Sequence, residues 1–462
     1  MKRRDFLQGG GLALGGAFLT SRLAFARTGA NASRFVFIIM RGALDGLAAA
    51  PPYGDPDYAS LRRELALKSP GTSGGALPLN GLFGLHPSLA FLHDSYTARE
   101  LVVFHAIASP YRDRSHFDGQ DVLENGGSQP HAVQTGWLNR ALASVQTGHV
   151  KELGVALGQN FPLVMRGPAS VTSWSPSKLA ALDDDTLERI SDLYAGDPLL
   201  ASRLADALAA DAIAKAPADG AMAAAAVTAV PEAAATMPQA ATPMPRAATP
   251  MNGASVSAAG ANAPQAGTPS AMAQPSGEMH TNPSLIQRGK PVRYTEVVRA
   301  AASFLRREDG PQVAVFDTTG WDTHANEGNA EGQLAGRLAA LDAGLRTLKQ
   351  ELGPTWSDTA VLLATEFGRT AATNGTRGTD HGTATAAFLL GGAVQGGRVF
   401  ADWPGLSSRV LYQGRDLKPT ADLRSVLKGV LSEHLLVPTS ALESSVFPSS
   451  ADARPIKGLF RT

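Results

Sequence analysis

The chain has 462 residues, 41 Lys and Arg against 41 Asp and Glu, and no cysteine. The missing thiols exclude disulfides, cysteine-ligated zinc, iron–sulfur clusters and cysteine nucleophiles, and the balanced charge argues against a nucleic-acid binder or a basic membrane-surface protein. A chain of this length can bury a sizeable core in one large α/β domain or in a few ordinary ones.

Residues 1–26 read as an export leader. Lys2-Arg3-Arg4 is a basic start, Gly9 to Leu19 is a short glycine-rich apolar run, and Ala24-Phe25-Ala26 is an A-x-A cleavage site. The apolar run is too short to span about 30 Å of hydrocarbon, and no later stretch is long and apolar enough to do so, so no stable membrane span is expected. The order Arg3-Arg4-Asp5-Phe6-Leu7 resembles the twin-arginine export signal. That resemblance implies passage of the folded chain through the twin-arginine translocase, and a periplasmic or secreted protein.

The rest reads as one domain, 27–462, interrupted by an insert at 215–282. Phe35–Met40 and Leu101–Phe104 are short apolar runs, followed by Asp45 and by His105. Ser115 then opens a predicted helix closed by Gly126, with Asp118 placed to complete a capping box. The insert is Ala, Pro, Met, Thr and Gly with almost no charge and a tandem unit beginning at Met237 and Met244. Such a composition cannot offset its ordering entropy, so disorder is expected. Its methionines could bind copper(I), but slippage of a repeat in a tolerated loop is the favoured reading. Val313–Phe316 and Thr359–Ala364 are again apolar runs, and between them Leu334, Leu338, Leu341, Leu345, Leu348 and Leu352 step by four and three. That stripe predicts a helix over Gln333–Leu352. Continuous apolar runs interleaved with helices predict an α/β fold with a mostly parallel, buried sheet.

In such sheets functional groups gather beyond the carboxyl ends of strands. Those positions hold Asp45, then Asp322 and His324 in Gly320-Trp-Asp-Thr-His, Glu366 in Glu-Phe-Gly-Arg-Thr370, and Asp380 and His381 in Gly378-Thr-Asp-His-Gly. Carboxylates crowded with imidazoles repel one another unless a cation is present, and the set suits Zn²⁺, Mn²⁺, Mg²⁺ or Ca²⁺. These six residues are the expected metal ligands. Ser115, at a helix start where N–H groups are unsatisfied, is the candidate nucleophile. His105 and His116 are expected to stand close behind the ligands.

Arg41-Gly-Ala-Leu-Asp-Gly46, Arg114-Ser-His-Phe-Asp118, Gly320-Trp-Asp-Thr-His324, Glu366-Phe-Gly-Arg-Thr370, Thr379-Asp-His-Gly382 and Gly396-Gly-Arg-Val399, in that order, resemble the exported family known as domain of unknown function 1501. The resemblance implies an alkaline phosphatase-like fold, shared with sulfatases, with helices on both faces of the sheet. It also implies two metal ions and a hydroxyl nucleophile. Position by position, Asp45 resembles the first-strand aspartate bridging metal and nucleophile, and Asp322 with His324 one metal's pair. The strand-end metal pair is either Glu366 with His381, or Asp380 with His381. The chain departs from the pattern in having no further histidine between His381 and His434.

The function implied is a metal-dependent hydrolase of phosphate or sulfate esters, on a small-molecule, glycan or lipid substrate. Arg114 or Arg369 would steady the transferring group. The alternative is a catalytically inactive periplasmic binding or assembly protein on the same fold.

Overall fold

The computed structural model describes residues 33–145, 152–176, 184–194, 196–216 and 292–461. The leader, and all of the insert beyond Ala216, lie outside the described residues. No helix among the described residues is long and apolar enough to cross a membrane.

Eleven strands are described: β1 (Arg34–Arg41), β2 (Leu77–Pro78), β3 (Gly84–Leu85), β4 (Leu101–Ala108), β5 (Gly154–Leu157), β6 (Val171–Trp174), β7 (Val313–Thr319), β8 (Thr359–Ala364), β9 (Thr385–Leu390), β10 (Arg398–Phe400) and β11 (Ala421–Asp422). Nine form one sheet in the order β10-β4-β9-β8-β1-β7-β5-β6, with β11 also on β4. Every pairing is parallel except those of β9, which runs antiparallel to both β8 and β4. β2 and β3 form a separate antiparallel pair.

The sheet is buried on both faces, and β1 shows how the sequence achieves it. Val36, Ile38 and Met40 pack into one cluster with the helices Ala90–Thr97, Val292–Arg306 and Gln333–Leu352. Phe35, Phe37 and Ile39 alternate into the opposite cluster, with the helices Trp137–Ser144 and Leu423–Glu433. A strand covered from both sides has no polar face, which is why it reads as an unbroken apolar run. The leucine stripe of Gln333–Leu352 is buried along its whole length, as its spacing predicts. β5, β6 and β9 carry no comparable signal, because Gly154-Val-Ala-Leu157 and Thr385-Ala-Ala-Phe-Leu-Leu390 are short and rich in small residues.

Register then sets the site. Ile39 of β1 pairs with Asp317 of β7 and with Ala364 of β8, so the carboxyl ends of these strands finish level. β4 ends at the same edge, and the reversed strand β9 begins there. Three loops therefore meet: those after β4 and β7, and the segment 365–384 that joins β8 to β9.

Candidate metal centre

The loop after β4 leads into the helix His116–Asn125. Ser115 is its N-cap residue but makes no capping bond through its side chain, so the expected capping box does not form. Instead the Tyr111 hydroxyl bonds Ser115, accepting its N–H at 3.1 Å and meeting its hydroxyl. Gly126 closes the helix as expected. The loop after β7 presents Asp322 and His324, with Trp321 buried as packing and its indole N–H donated to Thr318 Oγ1 (2.9 Å). Gly42 lies against this loop: at φ +118°, a Cβ there would sit 2.8 Å from the Asp322 nitrogen, so only glycine permits the approach.

Three imidazoles converge on Asp322. Its Oδ1 is 3.0 Å from His324 Nε2 and 3.2 Å from His381 Nε2, and its Oδ2 is 3.4 Å from His116 Nε2. The donor atoms of His116, Asp322 and His381 all lie within 4.8 Å of one another. Each Nδ1 is engaged from behind. His116 Nδ1 meets Glu366 Oε1 at 2.8 Å, His381 Nδ1 meets the Arg114 carbonyl at 2.9 Å, and His324 Nδ1 meets Asp380 Oδ1 at 3.3 Å. A carbonyl or carboxylate on Nδ1 makes that nitrogen the N–H donor and turns the Nε2 lone pair inward, the pattern seen behind metal-ligating histidines.

The electrostatics favour a positive charge at the centre of this cluster. Burial works against charge on His116, but the neighbouring Asp322 and Glu366 carboxylates raise its pKa to about 9. Burial likewise opposes ionisation of Asp322, yet His116, His381 and Arg369 hold its carboxyl well below the usual range. Glu366 is fully buried and is also lowered, chiefly by His116 against its desolvation. His116 Nε2 is a buried atom with no hydrogen bond, aimed into the cluster. An orphaned imidazole nitrogen beside two more and a carboxylate fits a divalent metal.

Asp322, His324 and His381 thus come together, and His116, expected behind them, stands with them. Glu366 and Asp380 take the rear positions instead, each on an imidazole. Neither expected strand-end pair stands as such: Glu366 lies behind His116 and Asp380 behind His324, while His381 faces Asp322.

Arg369 is in the site but buried, its guanidinium committed to Asp322 and to Thr379, so it neutralises the carboxylate and does not face a substrate. Arg114 sends its side chain away to Asp416 and Gln413, and only its carbonyl reaches the cluster.

Asp45 does not join the cluster. Its Oδ1 caps the short helix Gly46–Ala49 through the N–H groups of Leu47 and Ala48, and its Oδ2 pairs with the fully buried Arg62. Asp after a strand is a common helix cap, and that local role has taken the residue. Arg62 also faces Glu327 at 3.7 Å. Glu327 in turn accepts from Thr323 (3.0 Å) and Thr379 (2.8 Å), and Thr379 receives Arg369 Nε (3.1 Å). This second ionic cluster therefore supports the first through Arg369. His105 is packed elsewhere, its Nε2 on the carbonyls of Ala50 (3.0 Å) and Gly46 (3.2 Å), and its ring stacked on Phe83. Sequence reasoning missed Arg62, Glu327 and Gln120. Arg62 and Glu327 sit in no motif, and Gln120 could be found only as the residue one helical turn beyond His116.

A family model described as "Protein of unknown function (DUF1501)" matches residues 105–434. No curated protein and no solved structure matches the chain.

Proposed function

From the cluster just described, and because this chain belongs to the DUF1501 family, whose description names no activity, we propose that the protein is an exported, metal-dependent hydrolase of phosphate or sulfate esters. One observation carries the reading: three imidazole Nε2 atoms turn toward one carboxylate, each with its Nδ1 held by an acceptor. An imidazole-rich set favours Zn²⁺ or Mn²⁺ over Mg²⁺ and Ca²⁺, which prefer oxygen. An alkaline phosphatase-like fold is part of the proposal. It is supported by the parallel sheet and by the gathering of the site at one end of it. Export through the twin-arginine translocase is supported by the Arg3-Arg4 leader.

When bound, a divalent cation supplies a Lewis acid for an ester oxygen and lowers the pKa of a neighbouring hydroxyl or water. His116, His324, His381 and Asp322 would hold it, and Glu366, Asp380 and the Arg114 carbonyl keep the imidazoles in the ligating orientation. Ser115, next to His116 and free of capping duty, supplies the nucleophile. Its oxygen bonds to phosphorus or sulfur while the ester oxygen leaves with the bonding pair and takes a proton. Water then attacks the serine ester and restores the hydroxyl.

Metal analysis of the purified protein, joined to turnover of aryl phosphates and aryl sulfates, tests this. One equivalent of Zn²⁺ or Mn²⁺ and a hydrolysis lost in both Asp322→Ala and Ser115→Ala are expected. Metal-free protein that turns over the esters, or Asp322→Ala protein as active as wild type, overturns the reading.

The inactive binding protein is the second reading. It is favoured by Asp45, whose oxygens are spent on a helix cap and on Arg62. Bound metal with no turnover of any ester would select it.

A further inference from the structure

Beside the metal centre, at the same edge of the sheet, lies a cavity of about 350 Å³. Its base is formed by Arg41 at the end of β1 and by Asp317 and Thr319 at the end of β7. One wall is the face of the His116–Asn125 helix that carries Phe117, Gln120, Asp121 and Glu124, and the other is the segment 159–166 that follows β5. The two sites share a side chain: Gln120 donates to Glu366 Oε1 (3.2 Å), which holds His116, and accepts from Arg41 (2.9 Å) in the cavity.

The lining decides what fits. Arg41 is locked by Glu124 (2.7 Å) and Asp317 (2.6 Å), and Glu124 is further held by the Val164 N–H (3.0 Å). The base is therefore rigid and its cation already neutralised. Asp121, Glu124 and Asp317 outnumber Arg41 and Arg166, so the cavity lacks the net positive charge that a nucleotide's phosphates would need. A lipid chain would need an apolar tunnel, yet amide, charged and hydroxyl side chains together make up most of the wall. On the rim Phe117 is 74% exposed, a large aromatic face with no core to fill. Fixed planar polar side chains match adjacent hydroxyls, and an exposed ring offers a face to the C–H side of a pyranose.

We infer that this cavity is a sugar subsite, so that the hydrolase proposed above acts on phosphate or sulfate esters of saccharides, with the sugar ring on Phe117 and the ester directed to His116. The inference rests on the hydrolase reading for its ester and on the cavity alone for its sugar.

The test is saturation-transfer NMR on the purified protein with a panel of neutral pyranosides (glucose, galactose, mannose, N-acetylglucosamine and their β-linked disaccharides) beside adenosine monophosphate and short-chain phosphatidylcholine. At least one pyranoside is expected to give a transfer signal that persists in Asp322→Ala and falls at least tenfold in Phe117→Ala. Phe117 is surface-exposed, so its truncation leaves the core intact, and circular dichroism checks this. Signals from the nucleotide or the lipid alone, from nothing in the panel, or from a sugar bound equally well by Phe117→Ala overturn the subsite. Sugar binding together with esterase turnover unaffected by Asp322→Ala leaves the subsite standing and sinks the hydrolase reading instead.

Discussion

The Nε2 atoms of His324 and His381 lie 3.0 Å apart, and both face the same oxygen of Asp322. Because Asp380 and the Arg114 carbonyl engage the opposite nitrogens, two neutral rings would put lone pair against lone pair. A proton or a cation between them removes that conflict, and four donors at one point select the cation. Titration of chelator-stripped protein with Zn²⁺ is therefore expected to saturate at one equivalent. The His381→Ala variant should bind at least a hundredfold more weakly, as read by competition with a chromophoric chelator.

Glu366 touches no metal position but orients His116. Glu366→Gln keeps the shape and removes the charge that supports the imidazole. A loss of about 10–100-fold in metal affinity is expected, the usual effect of removing a partner from behind a ligand. Asp45→Asn, by contrast, is expected to leave the affinity within a factor of about three, since Asp45 serves another cluster. The same chelator competition reads both.

Arg62 is fully buried between Asp45 and Glu327, whose own pKa is raised to about 8 by burial and by Asp45. Arg62→Met leaves the Asp45 carboxylate buried without its cation, beside a Glu327 that burial and Asp45 already push toward the neutral form. Urea unfolding at pH 7.5 should show a loss of about 3–5 kcal/mol. Adding Asp45→Asn should recover part of it; a double variant less stable than the single one would contradict this account.

His434 is buried with Nε2 on the Arg34 carbonyl (2.8 Å) and its ring stacked on Phe460. Burial lowers its pKa from 6.5 to about 4. The unfolded chain therefore takes up the proton first as the pH falls. Its contribution to stability is whole above about pH 6.5 and declines toward pH 4, by roughly 3 kcal/mol in all, then levels off. The C2 proton of His434 should titrate with a midpoint near 4, and His434→Gln should flatten this part of the stability profile.

Gly368 sits between Glu366 and Arg369, and a Cβ there would meet the Ala384 carbonyl oxygen at 1.9 Å. Backbone cannot yield as a flexible side chain can. Gly368→Ala should cost about 3 kcal/mol or more and weaken metal binding with it, because Arg369 next to it and Glu366 two residues before it both serve the cluster. Thermal melts with and without Zn²⁺ measure the two effects.

Much of the architecture could be read locally. β1, β4, β7 and β8 appear as apolar runs because each is covered on both faces, and Gln333–Leu352 appears as a stripe because only one side of it is. Asp322, His324 and His381 could be named because two motifs place acid and imidazole beside glycines. The reversal of β9 could not be read, since a strand's direction leaves no mark on its composition. Without that reversal His381 would precede its strand at the far edge of the sheet.

The sequence by itself determined the four strands covered on both faces, the leucine-striped helix and which motifs carry metal-type side chains, because these depend on neighbours a few residues away. Only the tertiary structure decided which member of each motif faces inward. It brought His116 in, moved Glu366 and Asp380 behind, and gave Asp45 to Arg62. Those choices depend on contacts between residues far apart in the chain, and no local spacing encodes which of two adjacent polar groups a distant loop will meet.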